Sequence, residues 1–383
     1  MDTLLALVII LGVYAIGDVI SYYTKSIVSM LFTASVLFIV LFWMGLPTTV
    51  FEDANLYYFG AMMIGLLIVH MGSLLSVDDF VKQWKTVVVA CFAMLGIGVM
   101  LFLVGPLFVD RLYSIAAAPP IAGGVVAAIV MGERAAELGM PEVQIFVTII
   151  VAVQGFVGYP VCSVILNREA KSILSRPASS DDQVVVKEIK PLIPPLNKDL
   201  QTSYVLLFKL ALLALISSRL AALTNGIIHN YVVCLFVGVL ARAIGFLEPS
   251  AMTAANGFGI AMAALMAVIF APLANATPEV LSSLILPLVI TLVLGTIGIF
   301  IFATIAAKIF KMSVPMAIAI GVTSLFGFPG TFVLSNEVAV ANGKTEEERK
   351  RILDEILPKM LVAGFATVTV GSVVMAGIMV NML

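Results

Sequence analysis

The chain has 383 residues, of which 61% are hydrophobic and only 11% are charged, and its formal net charge is −2 at pH 7. Soluble domains carry about 25% charged residues, and a helix that crosses a bilayer needs roughly 20 apolar residues, a length that several runs here reach. The composition therefore excludes a soluble globular domain and predicts an all-α, multi-pass protein in a lipid bilayer.

The first half of the chain contains five apolar segments that are long enough to cross a membrane. They lie at residues 3–21, 26–46, 56–76, 86–109 and 142–166. The first segment has no basic region before it and no small-residue cleavage pattern, so we interpret it as a transmembrane helix and not as a signal peptide. We expect residues 1–166 to form one membrane repeat.

A further apolar segment of this half, at about 114–131, is interrupted by proline and glycine. It reads AAAPPIAGG at residues 116–124, and proline lacks an N–H donor while glycine is conformationally free, so a continuous helix is unfavourable. Irregular backbone at membrane depth is tolerated only where protein or a water-filled cavity satisfies it. We therefore predict a re-entrant hairpin in which Gly123 and Gly124 bind a ligand through backbone groups.

A polar stretch at residues 167–202 divides the chain near its middle. Its prolines, serines and mixed charges are typical of a surface linker. If this linker is cytoplasmic, most Lys and Arg residues of the loops fall on the cytoplasmic side, as the positive-inside rule requires, and both termini face outside. We predict a multi-pass protein of the bacterial plasma (inner) membrane with this orientation.

The second half, residues 203–383, repeats the pattern of the first. Its apolar segments lie at 203–224, 230–247, 251–274, 280–309 and 356–382, and a second broken segment lies at about 314–338. Five spans in each half give the halves opposite orientations. We therefore predict two inverted five-helix repeats, ten spans in all, each with a re-entrant hairpin between its fourth and fifth helices. Gly/Pro-interrupted segments at corresponding places in two halves indicate the midplane site of a transporter.

The second broken segment carries more polar side chains than the first. It reads SLFGFPGT at residues 324–331, and hydroxyl and amide oxygens are what a hard cation or a carboxylate substrate would contact. The candidate ligands for the substrate or ion here are Thr323, Ser324, Gly327, Gly330, Thr331, Ser335 and Asn336, with Na⁺ placed at Thr331 and Ser335. The alternative for each hydroxyl is a bond back to its own helix.

Four other polar residues are candidates. Glu133 and Glu337 end the two hairpins at corresponding places, and a carboxylate at membrane depth is costly unless it has a function. Each could bind a coupling cation or relay protons, or could instead lie at the water interface. Gln154 and Asn256 could face the interior of a helix bundle, where hydrogen bonds between helices explain them equally well.

Enzyme chemistry is not indicated by the sequence. The chain has two histidines, His70 and His229, and three cysteines in separate apolar runs, which is not the pattern of a zinc site. GxSxG, HExxH and P-loop motifs are missing, as is a basic patch with aromatic residues. We predict no catalytic residue, no metal centre, no organic cofactor and no nucleic-acid partner, and we expect His70 to be a hydrogen-bonded core residue.

The layout resembles the sodium/glutamate symporters of the GltS type and, more distantly, the 2-hydroxycarboxylate symporters. The resemblance is carried by VCLFVGVL at 233–240 and by GFPGT at 327–331 through Ser335 and Asn336. The first loop departs from the family pattern, since GGVV at 123–126 replaces a GGHG-like sequence. The resemblance implies two inverted halves with re-entrant loops, a cytoplasmic linker, and Na⁺-coupled uptake of a small carboxylate.

These observations predict a secondary active transporter that couples Na⁺ to symport of glutamate or a related small organic anion. Alternating access would arise when one group of helices moves against the other, and homodimers are common in the related families. One alternative is a passive channel or export-associated membrane protein similar to the LrgB group. Another is a scaffold or sensor that kept the fold and lost transport.

Overall fold

The structure is a computed structural model that describes residues 1–74, 83–176, 192–194, 196–197, 200–223 and 230–383. Every regular element in these residues is helical, as predicted for an all-α protein. His229 and half of the predicted linker, residues 177–191, 195 and 198–199, lie outside the described residues.

The helices follow the apolar segments of the sequence. In the first half they are α1 (Thr3–Tyr23), α2 (Met30–Trp43), α3 (Val50–Asp53), α4 (Leu56–Leu74), α5 (Trp84–Val99), α6 (Arg111–Gly123), α7 (Val125–Glu137), α8 (Pro141–Val153) and α9 (Gly155–Ser175). In the second half they are α10 (Ser203–Leu223), α11 (Asn230–Ala243), α12 (Ala251–Ala254), α13 (Phe258–Phe270), α14 (Pro278–Phe310), α15 (Val314–Val322), α16 (Gly327–Asn342), α17 (Glu346–Phe365) and α18 (Ser372–Met379). A 3₁₀ turn (Thr323–Leu325) follows α15, and a π-helical turn (Ala366–Gly371) joins α17 to α18.

Seven helical segments in the described part of the chain are long and apolar enough to cross a membrane. They are Thr3–Tyr23, Leu56–Leu74, Trp84–Leu107, Pro141–Ser175, Ser203–Leu223, Phe258–Asn275 and Pro278–Phe310. Shorter apolar helices lie at Met30–Trp43, Asn230–Ala243 and Val314–Leu325. The chain is therefore a multi-pass membrane protein, and the number of ten spans stays a prediction.

Two helices extend beyond the bounds expected from the sequence. α9 continues to Ser175, into the segment predicted as linker from residue 167, because residues 168–175 contain no glycine or proline. The last span was expected to begin near 356, but α17 begins at Glu346. There the Thr345 hydroxyl accepts a hydrogen bond from the N–H of Glu348 at 3.2 Å, which caps the helix. The charged run at 345–359 is thus continuous with the apolar part of this helix.

The chain divides into two compact units. The first unit contains Met1–Ala54, Trp84–Lys171 and Ile269–Leu383, and the second contains Asn55–Gln83 and Ser172–Val268. Each unit draws on both halves of the sequence. Both broken segments belong to the first unit.

In the first unit, α5 and α14 cross at a pair of glycines. A Cβ atom built on Gly96 would lie 2.3 Å from the carbonyl oxygen of Gly298, and a Cβ on Gly298 would lie 2.3 Å from that of Gly96. The two backbones can approach this closely only because neither residue has a side chain, as in other membrane helix pairs. This reciprocal contact fixes the crossing point of two long helices.

In the second unit, polar contacts tie the loops to the helices. His70 is buried, and its Nδ1 accepts a hydrogen bond from the Met252 N–H at 3.3 Å, as expected for a core histidine. Lys209 Nζ donates to Glu248 Oε1 at 2.7 Å, and the two side chains are only 7% and 12% exposed. This ion pair joins α10 to the segment before α12.

Candidate functional site

The first break is narrower than the sequence predicted. α6 continues through Pro119 and Pro120 to Gly123, because proline's fixed φ is compatible with a helix even though each ring removes one N–H donor. Only Gly124 departs from helical geometry, with φ 83° and ψ −148°, a conformation that glycine alone adopts readily. The segment predicted at 114–131 is therefore two helices that meet at one glycine.

The second break is longer than the first. After the 3₁₀ turn, Phe326 has φ −150° and ψ −23°, Gly327 has φ 58°, and Phe328 has ψ 139°. Aromatic rings pack around this break: the Phe326 ring lies 5.2 Å from that of Tyr159, and the Phe328 ring lies 5.3 Å from that of Phe365. The segment predicted at 314–338 thus contains three consecutive non-helical residues held by packing.

Two neighbouring helices of the same unit are interrupted as well. Gln154, which keeps helical φ and ψ (−57° and −27°), lies at the junction of α8 and α9, and the π-helical turn lies between α17 and α18. Such π-helical turns are frequent at functional sites, because they re-aim side chains and leave the helical hydrogen-bond pattern incomplete. With the two breaks, these give four interrupted segments, and a further π-helical turn (Met100–Val104) follows α5 in the same unit.

These interrupted segments pack crosswise. A Cβ built on Gly123, at the first break, would lie 2.4 Å from the carbonyl oxygen of Thr367 in the π-helical turn. A Cβ built on Gly158, just beyond Gln154, would lie 2.8 Å from atoms of Leu325 and Phe326 at the second break. Each broken segment thus lies against an interrupted helix from the opposite half of the sequence.

The side chain of Val368 contacts both breaks. Its Cγ1 would be 3.1 Å from a Cβ on Gly124, and its Cγ2 would be 2.6 Å from a Cβ on Gly327. Gly124 directly precedes α7, and Gly327 lies two residues before Pro329, where helical geometry resumes in α16, so both helices begin near one valine. Neither N-terminus has a side-chain cap, and uncapped helix N-termini attract anions through free N–H groups and the helix dipole.

Close to the interruptions, four buried side-chain oxygens lack a hydrogen-bond partner within the described residues. These four unpaired oxygens are Gln154 Oε1, Ser324 Oγ, Thr331 Oγ1 and Ser372 Oγ. Ser372 Oγ would be 2.6 Å from a Cβ on Gly123, and Thr331 Oγ1 would be 3.4 Å from a Cβ on Gly364. An unsatisfied buried polar group costs about 1–3 kcal/mol, so a ligand that satisfies these oxygens gains binding energy there.

Three of the predicted ligands are satisfied within their own helices. These side chains donate to carbonyl oxygens one turn earlier, from Thr323 to Ile320 at 2.7 Å, from Ser335 to Thr331 at 2.7 Å and from Asn336 to Phe332 at 2.8 Å. This is the alternative that local back-bonding offers. These groups have used a donor hydrogen, but the Ser335 hydroxyl oxygen keeps lone pairs that a cation can contact, so Na⁺ at Thr331 and Ser335 stays a prediction.

The remaining candidates, apart from Gly330, lie away from the breaks. Gly330 is a packing position, because a Cβ there would lie 2.7 Å from the Phe326 ring. Glu133 is exposed on α7, and Asn256 is exposed in the turn before α13 in the second unit. Glu337 has a separate environment, in which its Oε1 accepts a hydrogen bond from the Met30 N–H at 2.8 Å.

Sequence reasoning missed Val368 and Ser372. Both lie in the last apolar segment, which was predicted as an ordinary span. The adjacent Gly371 and Ser372 are a weak signal, because glycine beside a hydroxyl within an apolar run can mark an interrupted helix. The π-helical turn itself has no clear signature in the sequence.

Comparison with known proteins adds no family assignment. No protein-family model matches the chain, and no curated protein matches it significantly. The functional argument therefore depends on the geometry of the first unit.

Proposed function

We propose that the chain is a secondary active transporter that binds a small carboxylate together with a coupling Na⁺ at the two breaks of the first unit. The observation that carries this proposal is the combination of two uncapped helix N-termini beside Val368 with four unpaired, buried oxygens. A soluble fold can hydrate such groups, but a membrane interior cannot. Interrupted helices in a membrane protein serve ion and substrate binding.

The two kinds of group match the two kinds of ligand. A carboxylate accepts hydrogen bonds from the first N–H groups of α7, from those of Gly330 and Thr331 in α16, and from the hydroxyls of Ser324, Thr331 and Ser372. A hard cation takes oxygen ligands, for which Gln154 Oε1 and the carbonyl groups of the breaks are available. Because each ligand neutralises the charge of the other, each should raise the other's affinity by one common factor.

The inverted-repeat arrangement is part of this proposal. α5 and α14 are the fourth spans of the two predicted repeats, and their reciprocal contact at Gly96 and Gly298 is what a pseudo-twofold relation would produce. The crosswise packing of the breaks supports the same relation. We propose ten spans with both termini outside, and a symporter of the GltS type, with glutamate as the first substrate to test.

The test is ligand-dependent thermal stability of the purified protein. Glutamate, dicarboxylates and hydroxy acids are each added in Na⁺ and in choline. A ligand that binds only the folded state at about 100 times its dissociation constant adds roughly 2.7 kcal/mol of stability, which is visible as a shifted unfolding midpoint. We expect one carboxylate to stabilise the protein only when Na⁺ is present.

Pairs of matched variants test which side chains are needed for the ligand-dependent shift of the unfolding midpoint. Thr331→Val should abolish the ligand shift, whereas Thr323→Val should keep it, because both threonines are fully buried but only the Thr323 hydroxyl has a local partner. Ser324→Ala and Ser335→Ala form a second pair with the same logic. Equal loss within each pair would contradict the assignment of the unpaired oxygens to the ligand.

If no compound shifts the midpoint in either cation, symport is refuted and flux into liposomes separates the other functions. A linear, non-saturating flux would identify a passive channel. The lack of any flux would indicate a scaffold or sensor.

A further inference from the structure

Glu337 lies in α16 in a buried environment that the two breaks do not share. Its position is eight residues beyond Pro329, where helical geometry resumes, or about 12 Å along the helix at 1.5 Å per residue. Its Oε1 accepts a hydrogen bond from Met30 N–H, the first residue of α2, at 2.8 Å. The Ser21 hydroxyl and the Asp18 carboxyl group, both on α1, lie close to the same carboxyl group.

The second oxygen of this carboxyl group is the unusual one. Glu337 Oε2 is buried and makes no direct hydrogen bond to the part of the chain that the structure describes. An ionised carboxylate has two acceptor oxygens, and burying one of them unsatisfied is costly. A protonated carboxyl group instead has an O–H donor, whose hydrogen bond the nearby Ser21 hydroxyl can accept. Because the same hydroxyl could also donate to a carboxylate, the charges around the group decide which form is favoured.

No basic group compensates a negative charge at this position. Within the described residues Glu337 forms no ion pair, and Asp18 is the only charged group that acts on it. Neither α17 nor the 3₁₀ turn, which also pack near α16, contributes a cation to it. The N-terminus of α2 supplies roughly half a positive charge, while Asp18 opposes a second negative charge nearby.

We propose that Glu337 is a proton-binding site, separate from the two breaks, which holds a neutral carboxylic acid in this conformation. A hard cation in its place would need several oxygen ligands, whereas one proton on Oε2 satisfies the geometry that is present. On release, the O–H bond of the acid breaks, the proton passes to water, and a carboxylate remains beside Asp18. The role of this proton in coupling, but not the site itself, depends on the proposed transport function.

Infrared difference spectroscopy of the protein in liposomes tests the site without any substrate. We expect the C=O stretch of a protonated carboxylic acid at neutral pH, with its frequency shifted in D₂O. The band should vanish in Glu337→Gln, which keeps the acceptor for Met30 and nearly the same volume. It should persist in Glu133→Gln, which changes the exposed glutamate at the corresponding place of the first half. Identical spectra of the wild type and Glu337→Gln would overturn the proposal.

A second variant covers the case in which Glu337→Gln does not fold. Ser21→Ala should shift the frequency of the band, because it removes the hydroxyl beside the acid. An unshifted band would overturn the assignment to this site.

Uptake of labelled glutamate into the same liposomes separates this proposal from the transport function. We expect an inward proton gradient to raise accumulation several-fold in the wild type and not in Glu337→Gln, while exchange of internal for external glutamate continues in both. A carboxylic-acid band without uptake of any carboxylate would refute transport and leave the proton site. Na⁺-driven uptake without the band would refute the proton site and leave transport.

Discussion

Replacing either glycine at the breaks with alanine places a methyl group against Val368, but the structure predicts that the two costs have different origins. In Gly327→Ala the new Cβ would lie 2.6 Å from Val368 Cγ2, closer than real Cβ atoms approach, at a φ of 58°. In Gly124→Ala the Cβ would lie 3.1 Å from Cγ1, which a shift of a few tenths of an ångström relieves. The backbone at Gly124, however, is one that alanine adopts only under strain.

The two geometries give separate estimates of the loss in unfolding free energy. Left-handed backbone costs an L-residue about 1–2 kcal/mol, and overpacking adds about 1–3 kcal/mol, so Gly327→Ala should lose roughly 2–5 kcal/mol of unfolding free energy. Gly124→Ala should lose about 1–3 kcal/mol, nearly all of it from backbone strain. Val368→Ala removes the steric part in both cases and leaves the strain unchanged.

Two double-mutant cycles measure the difference. Each cycle compares the effect of Val368→Ala in a glycine variant with its effect in the wild type. Relative to the wild type, Val368→Ala should restore about 1–3 kcal/mol of unfolding free energy in Gly327→Ala. In Gly124→Ala it should restore less than about 0.5 kcal/mol, because there the two changes should be nearly additive. Denaturant unfolding of the purified protein in detergent gives each free energy. Gly12→Ala in α1 is the control, because a Cβ there meets nothing within 4 Å. A coupling energy near zero between Gly327 and Val368 would refute the placement of this valine between the breaks.

Two further predictions concern the packing of each unit. Glu248→Ala should lose about 3–5 kcal/mol of unfolding free energy, because it leaves the buried Lys209 ammonium unpaired. The double change Lys209→Met with Glu248→Leu should lose far less. Equal losses in denaturant unfolding would contradict a buried ion pair. Gly298→Leu should prevent the close crossing of α5 and α14, because the new leucine side chain would meet the backbone of Gly96. It should therefore lower the unfolding midpoint much more than the control Gly12→Leu. An unchanged midpoint would contradict the contact between the two glycines.

The location of the helices and of both breaks could be predicted from the sequence, because long apolar runs and glycine or proline leave direct local signals. The sequence could not predict which hydroxyl groups find a hydrogen-bond partner within the protein. Thr323 and Thr331 are identical residues in the same segment, yet only Thr323 bonds to a carbonyl one turn earlier. Thr331 lies in the first turn after the break, where Phe328 is not helical and no regular turn precedes the hydroxyl. Which side chains are left for a ligand is thus decided by the exact residue at which a helix restarts.

The same limit applies to interruptions without glycine or proline at their centre. Gln154 was a candidate for its amide, and the adjacent Gly155 is only a weak local signal that α8 and α9 meet there. The π-helical turn likewise begins in an ordinary apolar stretch, and its role follows only from contact with Gly123 and Gly124. Conversely, Pro119 and Pro120 predicted a longer break than exists, because proline fits helical φ and the alanines before it favour a helix.

The glycine crossing of α5 and α14 also has a mechanical meaning. Where two backbones touch, sliding one helix along the other by one turn would replace a glycine at the crossing point by a residue four positions away, such as Phe92 or Phe302, and neither side chain fits where an added Cβ would lie 2.3 Å from a carbonyl oxygen. The two helices therefore behave as a locked pair with a fixed register. Any change of shape within the first unit must take place in its interrupted segments, where fewer helical hydrogen bonds need to be broken.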